Sequence, residues 1–144
     1  MRPRLLDLFC GAGNFALPLA RRGARVHGVE RSAVAVDAAR AAAARLDLGH
    51  ATFACDTVAH ALAAVSPGDA DLVVLDPPRA GASEVIAPLA RVRAPRIVYA
   101  SCDPATLARD ARALAQHGYT LVRVQPVDVF PQTYHIESVS EFRC

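Results

Sequence analysis

Arg4-Leu5-Leu6-Asp7-Leu8-Phe9 runs directly into Cys10-Gly11-Ala12-Gly13-Asn14, and Phe15 to Arg22 then carries apolar residues at helical spacing. A short apolar run, a glycine turn and an amphipathic segment read as strand, turn and helix. The unit recurs along the chain. Val26 to Val29 reads as a second strand ending at Glu30, and Ser32 is placed to cap an alanine-rich helix from Ala33 to Leu46. Thr52-Phe53-Ala54 gives a third strand before Asp56, with a helix over Val58 to Val65. Asp71-Leu72-Val73-Val74-Leu75 is a fourth strand, cut off at Asp76-Pro77-Pro78, with a helix over Ser83 to Val92. Arg96-Ile97-Val98-Tyr99-Ala100 is a fifth, ending at Ser101-Cys102-Asp103-Pro104, with Ala105 to His117 as its helix.

This alternation predicts a mostly parallel sheet covered on both faces and joined by right-handed crossovers. After Gly118 the rhythm changes. Tyr119 to Val124 and Ile136 to Phe142 alternate like strands with no helix-length segment between them, so an antiparallel hairpin closes the sheet. The expected fold is an α/β, Rossmann-like sheet of seven strands with helices on both faces. Such an ending fits a methyltransferase sheet better than that of a dinucleotide dehydrogenase.

The 144 residues, 53% hydrophobic and 21% charged with a net charge of +2, are the balance of a single folded domain and exclude a disordered chain. No stretch approaches the roughly 20 uncharged apolar residues that span a bilayer, and Met1-Arg2-Pro3-Arg4 leads into the first strand without a cleavable signal pattern. The expected location is the cytoplasm. All 16 basic residues are arginine and alanine makes up about a fifth of the chain, a bias explained by a GC-rich genome more simply than by function. Cys10, Cys55, Cys102 and Cys144 lack the close pairs that zinc or iron–sulfur sites need. No metal is expected, and buried, inert thiols are the readings for Cys10 and Cys55.

In an open parallel sheet, ligands bind beyond the carboxyl ends of the strands, and unusual residues stand at those ends in turn. Gly11 and Gly13 allow close approach of backbone to ligand, and Glu30 at the second strand's end can accept both hydroxyls of a ribose. The loop lacks a third glycine at the dinucleotide offset, so it fits a nucleoside cofactor without phosphates better, such as S-adenosylmethionine. Asp56 is placed to contact its adenine. Two prolines after Asp76 make a stiff corner that holds the carboxylate towards the crevice. Cys102 stands just before a helix whose N-terminal dipole favours a thiolate, the setting of a nucleophile. Phe130-Pro131-Gln132-Thr133-Tyr134-His135-Ile136-Glu137 leads into the last strand with His135 and Glu137 on one face by two-residue alternation. Either can serve as a base.

Together, Leu6 to Phe15, Asp76-Pro77-Pro78-Arg79-Ala80-Gly81, Tyr99 to Asp110 and Asp128 to Glu137 resemble the RNA 5-methyluridine methyltransferase family, over essentially the whole chain. The combination of a Pro-Pro-Arg corner with a Ser-Cys-x-Pro loop separates it from N6-adenine methyltransferases, which lack the cysteine, and from RNA 5-methylcytosine enzymes, which use a different cysteine pair. The resemblance implies that Phe9, Asn14, Glu30, Asp56 and Asp76 contact S-adenosylmethionine, that Cys102 is the nucleophile and that Glu137 is the base. It implies an RNA substrate, ribosomal or transfer RNA, and neither DNA nor a membrane as partner.

Two departures stand out. Asp103 replaces the asparagine of the family's Ser-Cys-Asn-Pro loop and adds a negative charge beside Cys102, expected to oppose its ionisation. Family members also carry a long N-terminal half with an RNA-binding barrel, sometimes an iron–sulfur cluster, and a cofactor-contacting glutamine upstream of the first strand. The chain of residues 1–144 thus reads as a catalytic domain or a reduced homologue, with a separate RNA-binding chain or domain as a further expected partner. The competing readings are a non-catalytic remnant that acts through a partner and a small-molecule methyltransferase, which has no use for a thiol at Cys102.

Overall fold

The computed structural model describes residues 1–129 and 131–144. Seven strands form one sheet: β1 (Arg4–Leu8), β2 (Arg25–Glu30), β3 (Ala51–Cys55), β4 (Leu72–Leu75), β5 (Arg96–Ser101), β6 (Thr120–Val127) and β7 (Glu137–Arg143). Five α-helices connect them: α1 (Ala16–Arg21), α2 (Ala33–Arg45), α3 (Val58–Ala63), α4 (Ile86–Val92) and α5 (Pro104–Gln116). The strand order is β3-β2-β1-β4-β5-β7-β6, with β1 to β5 parallel and β7 antiparallel to both of its neighbours. The expected fold class is thus observed, and β7 returns to lie between β5 and β6.

Strand periodicity divides the core into two layers. Leu6 and Leu8 of β1, with Val29, Val73, Leu75, Ile97 and Tyr99, face Val58 and Leu62 of α3, Leu89 of α4 and Leu107 and Leu114 of α5. Leu5, Val26, Phe53 and Val74 face the other way, onto Ala16 and Ala20 of α1 and Val36, Ala39 and Ala43 of α2. The small side chains of α2 recur at i, i+3 and i+7, which lets that helix lie close to the sheet. Each large aliphatic side chain so buried contributes roughly 1.5–3 kcal/mol.

Element ends follow local chemistry. β1 stops at Leu8 rather than Phe9, because Phe9 takes a left-handed conformation, φ 61°. Ser32 caps α2 by accepting from the Ala35 N–H at 3.3 Å. The segment expected as one helix over Ser83 to Val92 is a 3-10 turn, Ser83–Val85, followed by α4. β6 is exposed along its whole length, and this edge strand carries Pro126 and a register irregularity between Leu121 and Arg123, features that discourage further pairing.

Candidate active site

The residues singled out in the sequence meet at one rim. Phe9, Gly11, Gly13 and Asn14 follow β1, Glu30 ends β2, Asp56 follows β3, Asp76 follows β4 and Cys102 follows β5. Because β7 runs antiparallel, its first residue, Glu137, stands at the same rim. Across the sheet the order is Asp56, Glu30, the glycine loop, Asp76, Cys102 and Glu137.

The glycine loop is held from below and from the side. Cys10 N–H donates to the Val29 carbonyl at 3.0 Å, and Gly13 N–H closes a turn on the Cys10 carbonyl at 2.9 Å. Gly11 and Gly13 adopt φ 54° and 89°, the left-handed region that glycine enters without strain, whereas Phe9 enters it at a cost. Glu30 Oε2 accepts the Gly11 N–H at 3.1 Å and Oε1 accepts the Ser32 N–H at 2.8 Å. Each Glu30 oxygen keeps a free lone pair, so the carboxylate can still accept from a diol. Asn14 is exposed beside this loop.

Asp56 Oδ1 accepts the Thr57 N–H at 2.7 Å, and Oδ2 meets His60 Nδ1 at 2.6 Å. The imidazole bond first, then the Thr57 N–H, hold the Asp56 carboxyl below its usual range, while the His60 ring is raised by the same pair. Asp76 is fixed through its backbone, its N–H donating to the Leu8 carbonyl at 3.3 Å. Surrounding protein raises its carboxyl pKa even though part of the side chain is open to solvent, and the nearby Glu137 carboxylate raises it further.

Cys102 sits in a rigid turn. Ser101 Oγ accepts the Asp103 N–H at 3.1 Å and donates to the Asp103 carbonyl at 2.9 Å. Asp103 Oδ1 caps α5, accepting the Ala105 and Thr106 N–H groups, both at 2.9 Å. Its other oxygen lies 3.7 Å from Arg79 Nε. Bonds from Thr106 and Ala105, with Arg79 nearby, hold the Asp103 carboxyl below its usual range. The charge that departs from the family's asparagine is thus met by a helix N-terminus and a guanidinium. β5 and β7 pair up to Ser101 opposite Ser138, and Cys102 and Glu137 each stand one residue beyond that last pair, at the same end of the two strands.

Two expectations change. The alternation argument does not reach His135, because β7 begins only at Glu137 and His135 lies in an irregular segment stacked on Tyr134, ring centroids 4.3 Å apart. Cys55 is exposed rather than buried, while Cys10 is buried as expected, with its thiol pushed up to about 12 by burial and by the Asp7 and Glu30 carboxylates. Phe130, quoted within the 128–137 stretch, lies outside the described residues.

Sequence reasoning also missed two buried acids. Asp7 is fully buried under the glycine loop, and neither of its oxygens has a hydrogen-bond partner of good geometry among the described residues. Burial pushes its pKa up to about 7 against the pull of the Ala16 N–H, and Asp76 adds to the rise. Asp110, equally buried, lies on the inner face of α5 with Leu107 and Leu114. An acid at a core-facing helical position, and one inside a buried strand, were the available signals.

Residues 2–141 match the sequence profile of a family described as tRNA (Uracil-5-)-methyltransferase. The chain is 50% identical over 141 residues to 23S rRNA (uracil(1939)-C(5))-methyltransferase RlmD of Pseudomonas aeruginosa strain UCBPP-PA14, covering 96% of the chain and 31% of that protein. It is 49% identical over 143 residues to the RlmD of Alkalilimnicola ehrlichii, covering 97% and 32%. Among solved structures, Pyrococcus abyssi tRNA (uracil-54, C5)-methyltransferase in complex with S-adenosyl-L-homocysteine superposes with a TM-score of 0.85 at 33% identity, over 99% of this chain and 34% of that one. The chain spans about a third of the length of the curated relatives it matches. With the motifs of the rim and nearly all of its length matched, the chain belongs to the tRNA (uracil-5-)-methyltransferase family.

Proposed function

We propose that residues 1–144 form the catalytic domain of an S-adenosylmethionine-dependent enzyme that methylates uracil at C5 in RNA, ribosomal or transfer RNA. The observation that supports this reading is that Cys102 and Glu137 each stand one residue beyond the last β5–β7 pair, Ser101 with Ser138, at the rim that also holds the glycine loop and Asp76. The residues fit the cofactor: Glu30 retains acceptor capacity for a ribose diol, Gly11 and Gly13 expose backbone, and Asp56 and Asp76 flank them. S-adenosylmethionine supplies an electrophilic methyl group on a sulfonium.

Uracil C5 is a weak nucleophile, and a covalent step divides the reaction into easier parts. Cys102 Sγ, as thiolate, adds to C6, and the C5–C6 π pair moves towards O4 as an enolate. C5 then takes the methyl group, the sulfonium leaving as a neutral thioether. The Glu137 carboxylate removes the C5 proton, the C5–C6 double bond re-forms, and the Cys102 thiolate departs. The proton on Glu137 passes to solvent.

RNA bearing 5-fluorouridine tests the reading, because fluorine at C5 cannot be removed as a proton. With S-adenosylmethionine present, the adduct is expected on Cys102 and absent in Cys102→Ala. An adduct that survives in Cys102→Ala overturns the assignment. A folded protein that neither binds S-adenosylhomocysteine nor forms the adduct supports a non-catalytic remnant instead. No helix among the described residues is long and apolar enough to cross a membrane.

A further inference from the structure

The loop after β4 is fastened to α5 and β5 by one buried carboxylate. Asp110 Oδ2 accepts the Tyr99 hydroxyl and the Ala82 N–H, each at 2.7 Å. Oδ1 accepts Arg109 Nε at 3.0 Å and Arg109 Nη2 at 2.9 Å, and the same Nη2 donates to the Ala80 carbonyl at 2.8 Å. Each hydrogen-bond partner of the carboxylate among the described residues is a donor, so both oxygens are needed as acceptors.

The loop is shaped to reach this point. Gly81 N–H closes a turn on the Pro78 carbonyl at 2.8 Å, and Gly81 takes φ 82°. A Cβ there would stand 2.5 Å from Arg109 Nη2 and 2.6 Å from Asp110 Oδ2, so only glycine allows the approach. At its start the loop is anchored separately, through the Asp76 N–H on Leu8. Between the two anchors lies Arg79, which faces the Asp103 carboxylate next to Cys102. Tyr99, fully buried, stands three residues before Cys102 on the strand that presents it.

We propose that Asp110, with Arg109 and Tyr99, is a positioning residue that fixes the Pro77–Ala82 loop, and with it Arg79, against the Cys102 turn, acting on the thiol's addition step and not on cofactor binding. The role in addition rests on the function proposed above; the fastening of the loop does not. Burial and the Asp110 carboxylate both raise the Tyr99 hydroxyl's pKa, which keeps it a donor at any working pH.

The test compares the wild-type chain with Asp110→Asn, whose amide nitrogen must face a donor, and with Tyr99→Phe, which removes one bond without adding volume. In Asp110→Asn the Ala82 amide is expected to exchange hydrogen at least about tenfold faster, with Val73 and Val74 in β4 unchanged. Iodoacetamide is expected to alkylate Cys102 several-fold faster while buried Cys10 stays protected. Trapping on 5-fluorouridine RNA and kcat fall by about tenfold or more, with KM and Kd for the methyl donor and its product within roughly threefold. Tyr99→Phe gives smaller changes of the same sign and serves where the asparagine variant fails to fold.

Unchanged exchange at Ala82 and unchanged alkylation of Cys102 in both variants overturn the proposal. So does Cys10 reacting in step with Cys102, which marks general loosening. A wild-type chain that never forms the RNA adduct, with the loop and thiol behaving as described, defeats the proposed function and leaves the fastening of the loop in place.

Discussion

Glu30 Oε2 and the Gly11 N–H, 19 residues apart, meet at 3.1 Å, so the acid that ends β2 also fixes the turn that follows β1. The same side chain is thus both a candidate ligand for a diol and a support for the loop beside it. Removing it costs twice.

Glu30→Ala is therefore expected to weaken S-adenosylhomocysteine binding by at least about tenfold, the loss of one or more hydrogen bonds to a charged acceptor. Glu30→Gln keeps one oxygen for the loop and is expected to bind with an intermediate affinity. Isothermal titration calorimetry on both variants reads the difference, and equal affinity in Glu30→Ala and wild type defeats the role.

Gly28 is a packing requirement, with no special backbone angle. A Cβ there would lie 2.6 Å from the Phe53 ring and 2.8 Å from Cys10 Sγ, both within the layer under α1 and α2. Gly28→Ala is expected to destabilise the domain by about 1–3 kcal/mol, the usual cost of overpacking, and to lower Tm by several degrees. Differential scanning calorimetry checks it.

Asp7 predicts a pH dependence of stability with a definite sign. Its pKa rises from the usual carboxylate range to about 7 in the folded chain, so between those limits the unfolded state releases a proton that the folded state keeps. Its contribution is therefore complete at low pH and is lost as pH rises through the folded value. Asp7→Asn is expected to flatten the fall in stability between about pH 4 and 7, and to gain on wild type at pH 8 by up to a few kcal/mol. Denaturant titrations at the two ends read the effect, and parallel pH profiles would refute it.

Asp103 separates capping from charge. Asparagine caps a helix as well as aspartate does and alanine does not. Asp103→Asn is expected to leave Tm unchanged while removing the contact with Arg79, whereas Asp103→Ala lowers Tm. If the asparagine variant melts as early as the alanine variant, the Arg79 pair, and not the cap, secures the turn.

Much of the molecule is legible in short stretches of its sequence. The turn at Gly11 and Gly13 and the stop at Asp76-Pro77-Pro78 were read correctly because glycine and proline act on their own backbone. The cap at Ser32 was read correctly because it spans only three residues. Boundaries shifted where a single conformation intervened, as at Phe9, whose left-handed φ no local pattern announces. The exposure of Cys55 is not legible because a thiol carries no periodic signal of its own, and His135 falls outside the alternation because β7 begins two residues later, at Glu137.

The repeating strand and helix units, the rim residues at the ends of β1 to β5 and the antiparallel ending are all legible in the chain, since each is written in local periodicity and turn chemistry. It is the packing of the sheet that brings β7 between β5 and β6 and carries Glu137 to the end of the strand that leads into Cys102, 35 residues away in the chain. It is tertiary packing, too, by which Asp110 gathers Tyr99, Ala82 and Arg109 around one carboxylate. Such pairings depend on which distant backbones meet when the two apolar faces of the sheet are buried, and no short stretch of chain carries that information.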